Sequence, residues 1–171
     1  MSAGWSKRRD IDPLADGQAH VDFAIPLTEF VRFRPALADA SDTARGHVRF
    51  SRDQGFVVGD LEVHASVPLV CQRCLKPMRL DVDSRSRVAL IGTEREADQV
   101  PPGVETVLAS ERRISMRELV EEELLLAVPI VPLHDDPQEC ADEDRRAPAT
   151  DEPTNVQRPF ERLGELLKRD R

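Results

Sequence analysis

The longest regular pattern in the chain begins at residue 60. Leu61, Val63, Ala65, Val67 and Leu69 fall on one face of an extended segment, and Glu62, His64 and Ser66 on the other. The alternation resumes at Met78: Met78, Leu80, Val82, Val88 and Leu90 share one parity, while Arg79, Asp81, Asp83, Arg85 and Arg87 take the other. One dry and one wet face mark antiparallel strands, because a parallel sheet is buried on both sides and reads as continuous apolar runs. A doubly wound cofactor fold is therefore not expected. Upstream, Val21, Phe23, Ile25 and Leu27 alternate with Asp22, Ala24 and Pro26, and the proline puts that strand at an edge or at its end. Val48 and Phe50 alternate with charged neighbours, and Asp53-Gln54-Gly55 supplies a turn before Phe56 and Val57, which predicts a hairpin. Residues 28–33 read as one helical turn capped by Thr28 or as continued strand, and residues 35–45 as a connection. Residues 92–113 contain Pro101-Pro102-Gly103, show no sustained period and read as a loop.

The period changes at Ser115. With Glu118 three residues on, it forms a capping-box pattern, and Met116, Leu119, Val120, Leu124 and Ala127 then line one helical face. Glu121, Glu122 and Glu123 are expected to fan over the solvent side and one flank. Pro129 disfavours a helical Val128, so the helix stops there and residues 128–133 continue extended. The expected architecture is α+β: a strongly curved antiparallel sheet of about four to six strands, with one long helix across its apolar face. The expected boundaries are a flexible N-terminus over residues 1–20, an α+β domain over 21–134, an acidic linker over 135–157 and an amphipathic helix over 158–171. Pro159 suits the first position of that last helix, and Phe160, Leu163, Leu166 and Leu167 share a face. So short a helix is marginal alone in water, so the face is expected to dock, either on its own domain or in a partner's groove.

Charge narrows the function. The net charge is −8, of which residues 135–152 contribute −6 (eight acids, two arginines), leaving −2 for the rest. An acidic tail on a nearly balanced body is not the footprint of a protein that neutralises many phosphates. Aromatic residues make up only 4% with no tyrosine, so base-stacking platforms are scarce too. No apolar segment reaches bilayer-spanning length, and the basic N-terminal cluster lacks a following apolar region, so neither membrane insertion nor export is expected. Three cysteines in such a chain suggest reduced thiols in the cytoplasm, with metal binding more natural than a disulfide framework.

Cys71-x-x-Cys74, in a tight connection between strands, carries the most chemistry. Both thiolates can reach one Zn²⁺, and His134 and Cys140 are the best candidates to complete a tetrahedral set, with nearby acids to accept from the second imidazole nitrogen. Two other readings stand beside it. Thiol redox chemistry wants the first cysteine at a helix N-terminus, which Pro77 and the following strand pattern argue against. Alternatively the cysteines are small half-buried residues of a turn. His20, His47 and His64 show no ligand spacing, and the glutamate run reads as a solvated face rather than catalytic carboxylates. No nucleophile and base pattern, glycine-rich phosphate loop or H-E-x-x-H signature is found.

Three blocks together resemble the YceD family, also called the large ribosomal RNA subunit accumulation proteins. They are Val70-Cys71-Gln72-Arg73-Cys74-Leu75; the stretch 119–134, LVEEELLLAVPIVPLH, with Cys140 after it; and Arg158-Pro159-Phe160-Glu161-Arg162-Leu163 leading to Leu167-Lys168. The blocks run in the family's order from about residue 60 to the C-terminus, although the family usually has Asn where this chain has Arg158. The resemblance implies a non-enzymatic bacterial cytoplasmic factor for synthesis, processing or stability of large-subunit (23S) ribosomal RNA. Ribosomal proteins or rRNA-processing factors are then the expected partners, with direct RNA contact disfavoured by charge. Arg73 and Lys76, beside the Cys turn, are candidates for a small phosphate contact. A zinc-dependent or thiol-redox protein using Cys71 and Cys74, and a partner-binding structural domain unrelated to the ribosome, are the alternatives.

Overall fold

A computed structural model describes residues 4–39 and 41–140. The expected C-terminal helix with Phe160, Leu163, Leu166 and Leu167, and the expected linker beyond Cys140, lie outside the described residues. In chain order the elements are β1 (Arg9–Asp10), α1 (Ile11–Asp16), β2 (His20–Pro26), β3 (Thr43–Asp53), β4 (Phe56–Val70), β5 (Pro77–Ile91), β6 (Glu105–Leu108), β7 (Arg113–Ile114) and α2 (Met116–Ala127). The fold is α+β, and its main sheet runs in the order β2-β3-β4-β5-β6, with β1 and β7 forming a separate pair.

Strands β2 to β5 form an antiparallel meander, as the alternating pattern implies. The β3–β4 hairpin closes at Asp53↔Phe56, with Gln54 at φ 47° and Gly55 at φ 89°. Both turn residues are thus left-handed, the geometry that matches strand twist and for which glycine is suited. A glycine is also required at Gly46, where an added Cβ would lie 1.9 Å from the Glu62 carbonyl oxygen of the neighbouring strand.

The expectation of an all-antiparallel sheet is corrected at β6, which pairs parallel to β5 through Val88↔Glu105 and Ile91↔Leu108. Residues 92–104, expected as mere loop, supply the crossover that a parallel pair demands and include a 3₁₀ segment, Glu94–Gln99. Within the segment expected to be flexible, residues 4–16 carry short elements of their own. Asp10 caps α1 by accepting from the Asp12 N–H at 3.1 Å, and α1 sends Ile11 and Ala15 into the core. Elements of two and six residues are too short to leave a period in the sequence.

Helix α2 packs against β4 and β5. It begins with the expected capping box: the Ser115 hydroxyl accepts from Glu118 N–H at 3.1 Å, and Glu118 accepts from Ser115 N–H at 2.8 Å. Met116, Leu119, Val120 and Leu124 are buried in one cluster with Phe50, Leu61, Val63 and Val67. The helix has twelve residues, and Val128 is already extended before Pro129. The glutamate run departs from expectation. Three consecutive helical positions sweep about 200°, so the outer two fall on the flanks of the apolar stripe, and Glu121 and Glu123 are only 5% and 6% exposed. Glu121 accepts from the backbone N–H groups of Arg32 (2.6 Å) and Phe33 (3.1 Å), which fixes the loop carrying buried Phe30 and Phe33. Glu123 accepts from the hydroxyls of Ser84 and Ser86 on β5. Glu122 alone reaches outward, to the Arg32 guanidinium at 2.7 Å.

Asp12 joins the N-terminal unit to the sheet, accepting from Arg112 at 2.6 and 2.7 Å and from Arg52 at 2.9 Å. Those hydrogen bonds, from Arg112 and then Arg52, hold its carboxyl well below the ordinary 3.8. A depressed carboxylate stabilises fully above its unfolded pKa, and that contribution is lost progressively as the pH falls from the ordinary 3.8 towards the much lower value held in the fold. Asp12→Asn is therefore expected to melt below wild type near neutrality, with the two converging in acid below about pH 4; melting points that stay equally separated across that range contradict the assignment. Leu124 is fully buried, and a buried leucine contributes roughly 1.5–3 kcal/mol before any unpaired charge is added. Leu124→Asp is expected to abolish the cooperative unfolding transition; a native-like melting curve would overturn the packing described.

Candidate metal centre

The β4–β5 connection is a tight turn. Cys71 N–H donates to the Lys76 carbonyl at 3.0 Å, and Leu75 N–H donates to the Cys71 carbonyl at 2.8 Å, with Leu75 at φ 62°. The turn thus folds Cys74 back towards Cys71. The second half of the site arrives from α2. Once Pro129 has ended the helix, the chain runs past the turn and is tied to it where Gln72 N–H donates to the Pro132 carbonyl at 2.8 Å. His134 follows directly. A 3₁₀ turn, Pro137–Cys140, capped by the Asp136 carboxylate accepting from Gln138 N–H at 2.8 Å, then brings Cys140 round to the same point.

All four expected ligands therefore converge. The Sγ atoms of Cys71, Cys74 and Cys140 and a ring nitrogen of His134 lie within 4.8 Å of one another, a group able to hold a metal ion. Cys71 Sγ and Cys140 Sγ are 3.8 Å apart; His134 Nδ1 is 3.5 Å from Cys74 Sγ and 3.4 Å from Cys140 Sγ. Cys71 and Cys140 are buried, and Cys74 and His134 half-buried. The other imidazole nitrogen, Nε2, faces the Glu139 carboxylate at 3.9 Å, a distant version of the expected acidic acceptor.

The surroundings favour charge on one sulfur. Burial alone would raise the Cys71 thiol, but hydrogen bonds from the backbone N–H groups of Cys74, His134 and Arg73 and from the Cys74 side chain hold it down to about 5. Burial, with the Cys74 and Cys71 side chains beside it, pushes Cys140 up to about 11. Cys71 follows the last residue of β4 and enters a turn rather than opening a helix, so its thiolate is stabilised by turn amides instead of a helix dipole.

Arg73 is exposed on the same turn, and Lys76 is half-buried. His20, His47 and His64 lie on β2, β3 and β4, outside the metal group, with His20 and His47 stacked at 5.0 Å. The buried glutamates were the polar feature that sequence reasoning missed. Ser84 and Ser86 were the available signal for Glu123, because they interrupt the apolar parity between Val82 and Val88 and so place two hydroxyls on the dry face. For Glu121 no comparable signal exists, since its partners are backbone amides.

Comparison with known proteins follows the same residues. The family model described as "Large ribosomal RNA subunit accumulation protein YceD" matches residues 59–167, a span that includes all four converging ligands. A protein of Haemophilus influenzae named "Large ribosomal RNA subunit accumulation protein YceD" is 28% identical over 128 residues, covering 72% of this chain and 74% of its own length. No solved structure matches the chain.

Proposed function

Because the chain belongs to the YceD family, we propose that it is a ribosome biogenesis factor of the bacterial cytoplasm, supporting synthesis, processing or stability of large-subunit (23S) ribosomal RNA. The observation that carries this reading is the family match across residues 59–167. We read it as an adapter rather than a catalyst, acting mainly through protein contacts with ribosomal proteins or processing factors. Its net charge of −8 opposes extensive wrapping of RNA; Arg73 and Lys76 on the Cys turn leave room for a single phosphate contact. Phe160, Leu163, Leu166 and Leu167 form the proposed docking face of the C-terminal segment.

We further propose that Cys71, Cys74 and Cys140, through Sγ, and His134, through Nδ1, hold a structural zinc. Tetrahedral zinc with bonds of about 2.3 Å to sulfur and about 2.0–2.1 Å to nitrogen requires S···S edges of about 3.8 Å and S···N edges of about 3.6 Å. The separations of 3.8, 3.5 and 3.4 Å fit that demand. Three thiolates and one imidazole fill the coordination shell, which is the character of a structural rather than a catalytic site. The role of such a centre is to fasten the β4–β5 turn to the segment leaving α2. The thiol-redox reading draws support from the lowered Cys71 thiol, yet Cys71 is 0% exposed and a reactive thiol needs access.

Elemental analysis of the purified chain is expected to find one zinc per molecule, with all three cysteines slow to alkylate until a chelator removes it. Cys74→Ser should lower both zinc content and melting temperature. Rapid alkylation of Cys71 in metal-replete protein would replace this reading with the redox one. For the ribosomal role, gradient sedimentation of a lysate should place part of the protein with large-subunit particles or their precursors. Phe160→Ala combined with Leu163→Ala should shift it towards the free fraction. A protein wholly free on the gradient, with normal large-subunit levels in its absence, contradicts the proposal and favours a partner outside the ribosome.

A further inference from the structure

Away from the metal centre, a cleft of about 500 Å³ opens between α2 and the edge strand β6. Its apolar part comes from Val107 and Leu108 on β6 and from Leu119 and Leu126 on α2. Leu108 is 47% exposed and Leu126 71%, so the helix and the strand both present leucine to water at the same opening. Neither contributes to the core cluster.

The polar part of the cleft carries one sign of charge, from Glu105, Glu122 and Glu123. Glu122 is matched by Arg32. Among the described residues no cation lies against Glu105, and Glu123 is held only by the hydroxyls of Ser84 and Ser86 although it is buried. Among the described residues, two carboxylates therefore stand beside exposed leucines without counter-charge. A purely apolar occupant would strip water from those acids and leave them unpaired. A phosphate-bearing occupant would meet charge of its own sign, and a second copy of so acidic a chain brings the same repulsion. A segment that alternates aliphatic and cationic side chains satisfies both halves.

We propose that this cleft is a docking site for a basic, amphipathic peptide segment of a partner protein, with its aliphatic side chains between Leu108 and Leu126 and its Lys or Arg side chains on Glu105 and Glu123. The proposal rests on the adapter reading for the partner being a protein. The site is independent of the metal centre.

A fluorescein-labelled peptide alternating Lys and Leu, with a Glu and Leu peptide as its counterpart, is titrated into the full chain and followed by anisotropy. The Lys and Leu peptide should bind in a salt-sensitive manner and the Glu and Leu peptide should not. Glu105→Lys and Leu126→Asp, both at exposed positions, should each weaken binding about tenfold or more, in variants whose melting curves stay native-like. Asp22→Lys, on the outer face of β2, and Ile130→Asp, beyond the end of α2, repeat the charge and polarity changes away from the cleft and should leave affinity unchanged. Equal weakening by all four variants, no peptide binding, or self-association that Leu126→Asp abolishes would each overturn the proposal. The gradient experiment separates the two readings. A chain that stays free of the ribosome but binds the peptide through Glu105 and Leu126 keeps the cleft and loses the ribosomal role. One that sediments with large-subunit particles but binds no Lys and Leu peptide does the reverse.

Discussion

The dry face of the β4–β5 ribbon has to be covered, and most of this molecule follows from how that is done. Two fifteen-residue strands, each about 50 Å long at strand rise, expose more apolar surface than a single strand partner can hide. The chain lays α2 across this face, anchored by Met116, Leu119, Val120 and Leu124. Because the capping box starts the helix at Ser115 and Pro129 ends it, the following segment leaves at a defined point. That point lies beside the turn joining the two strands, and the Gln72 to Pro132 backbone bond holds the two together.

The same packing explains where the acidic residues of α2 go. A helix that is apolar on one stripe and rests on a sheet must carry its flanks close to neighbouring backbone, so Glu121 and Glu123 become structural acceptors rather than solvated charges. Glu121 fastens the loop that brings Phe30 and Phe33 into the core; Glu123 engages two β5 serines and faces the cleft beside β6. One helix thus serves three surfaces: the core below it, the converging cysteines and histidine beyond its end, and an acidic, leucine-rimmed groove at its side.

What could be read from the chain alone depended on the length of each signal. Residues 61–69 and 78–90 alternate for long enough to give strands and their wet and dry faces, and Ser115 with Glu118 marks the helix start without ambiguity. The four converging ligands were also legible, because Cys71 and Cys74 share a turn and His134 and Cys140 follow a proline that must end the helix. The parallel partner of β5 was not. Four residues, Glu105–Leu108, hold too little period to reveal a strand, and nothing local encodes a direction that is set by the crossover. The N-terminal elements were hidden for the same reason: Ile11 and Ala15 reach the core from a helix of six residues, and the Asp12 contacts with Arg52 and Arg112 join distant parts of the chain.

In this chain, which the family model described as "Large ribosomal RNA subunit accumulation protein YceD" matches over residues 59–167, three sulfurs and one imidazole meet at the joint between sheet and helix. The zinc proposed for these residues would fasten that joint. X-ray absorption at the zinc edge of the purified full chain tests this most directly. One zinc with three sulfur neighbours at about 2.3 Å and one nitrogen at about 2.0–2.1 Å is expected. A chain purified without metal under reducing conditions, or a zinc surrounded mainly by oxygen, would contradict it.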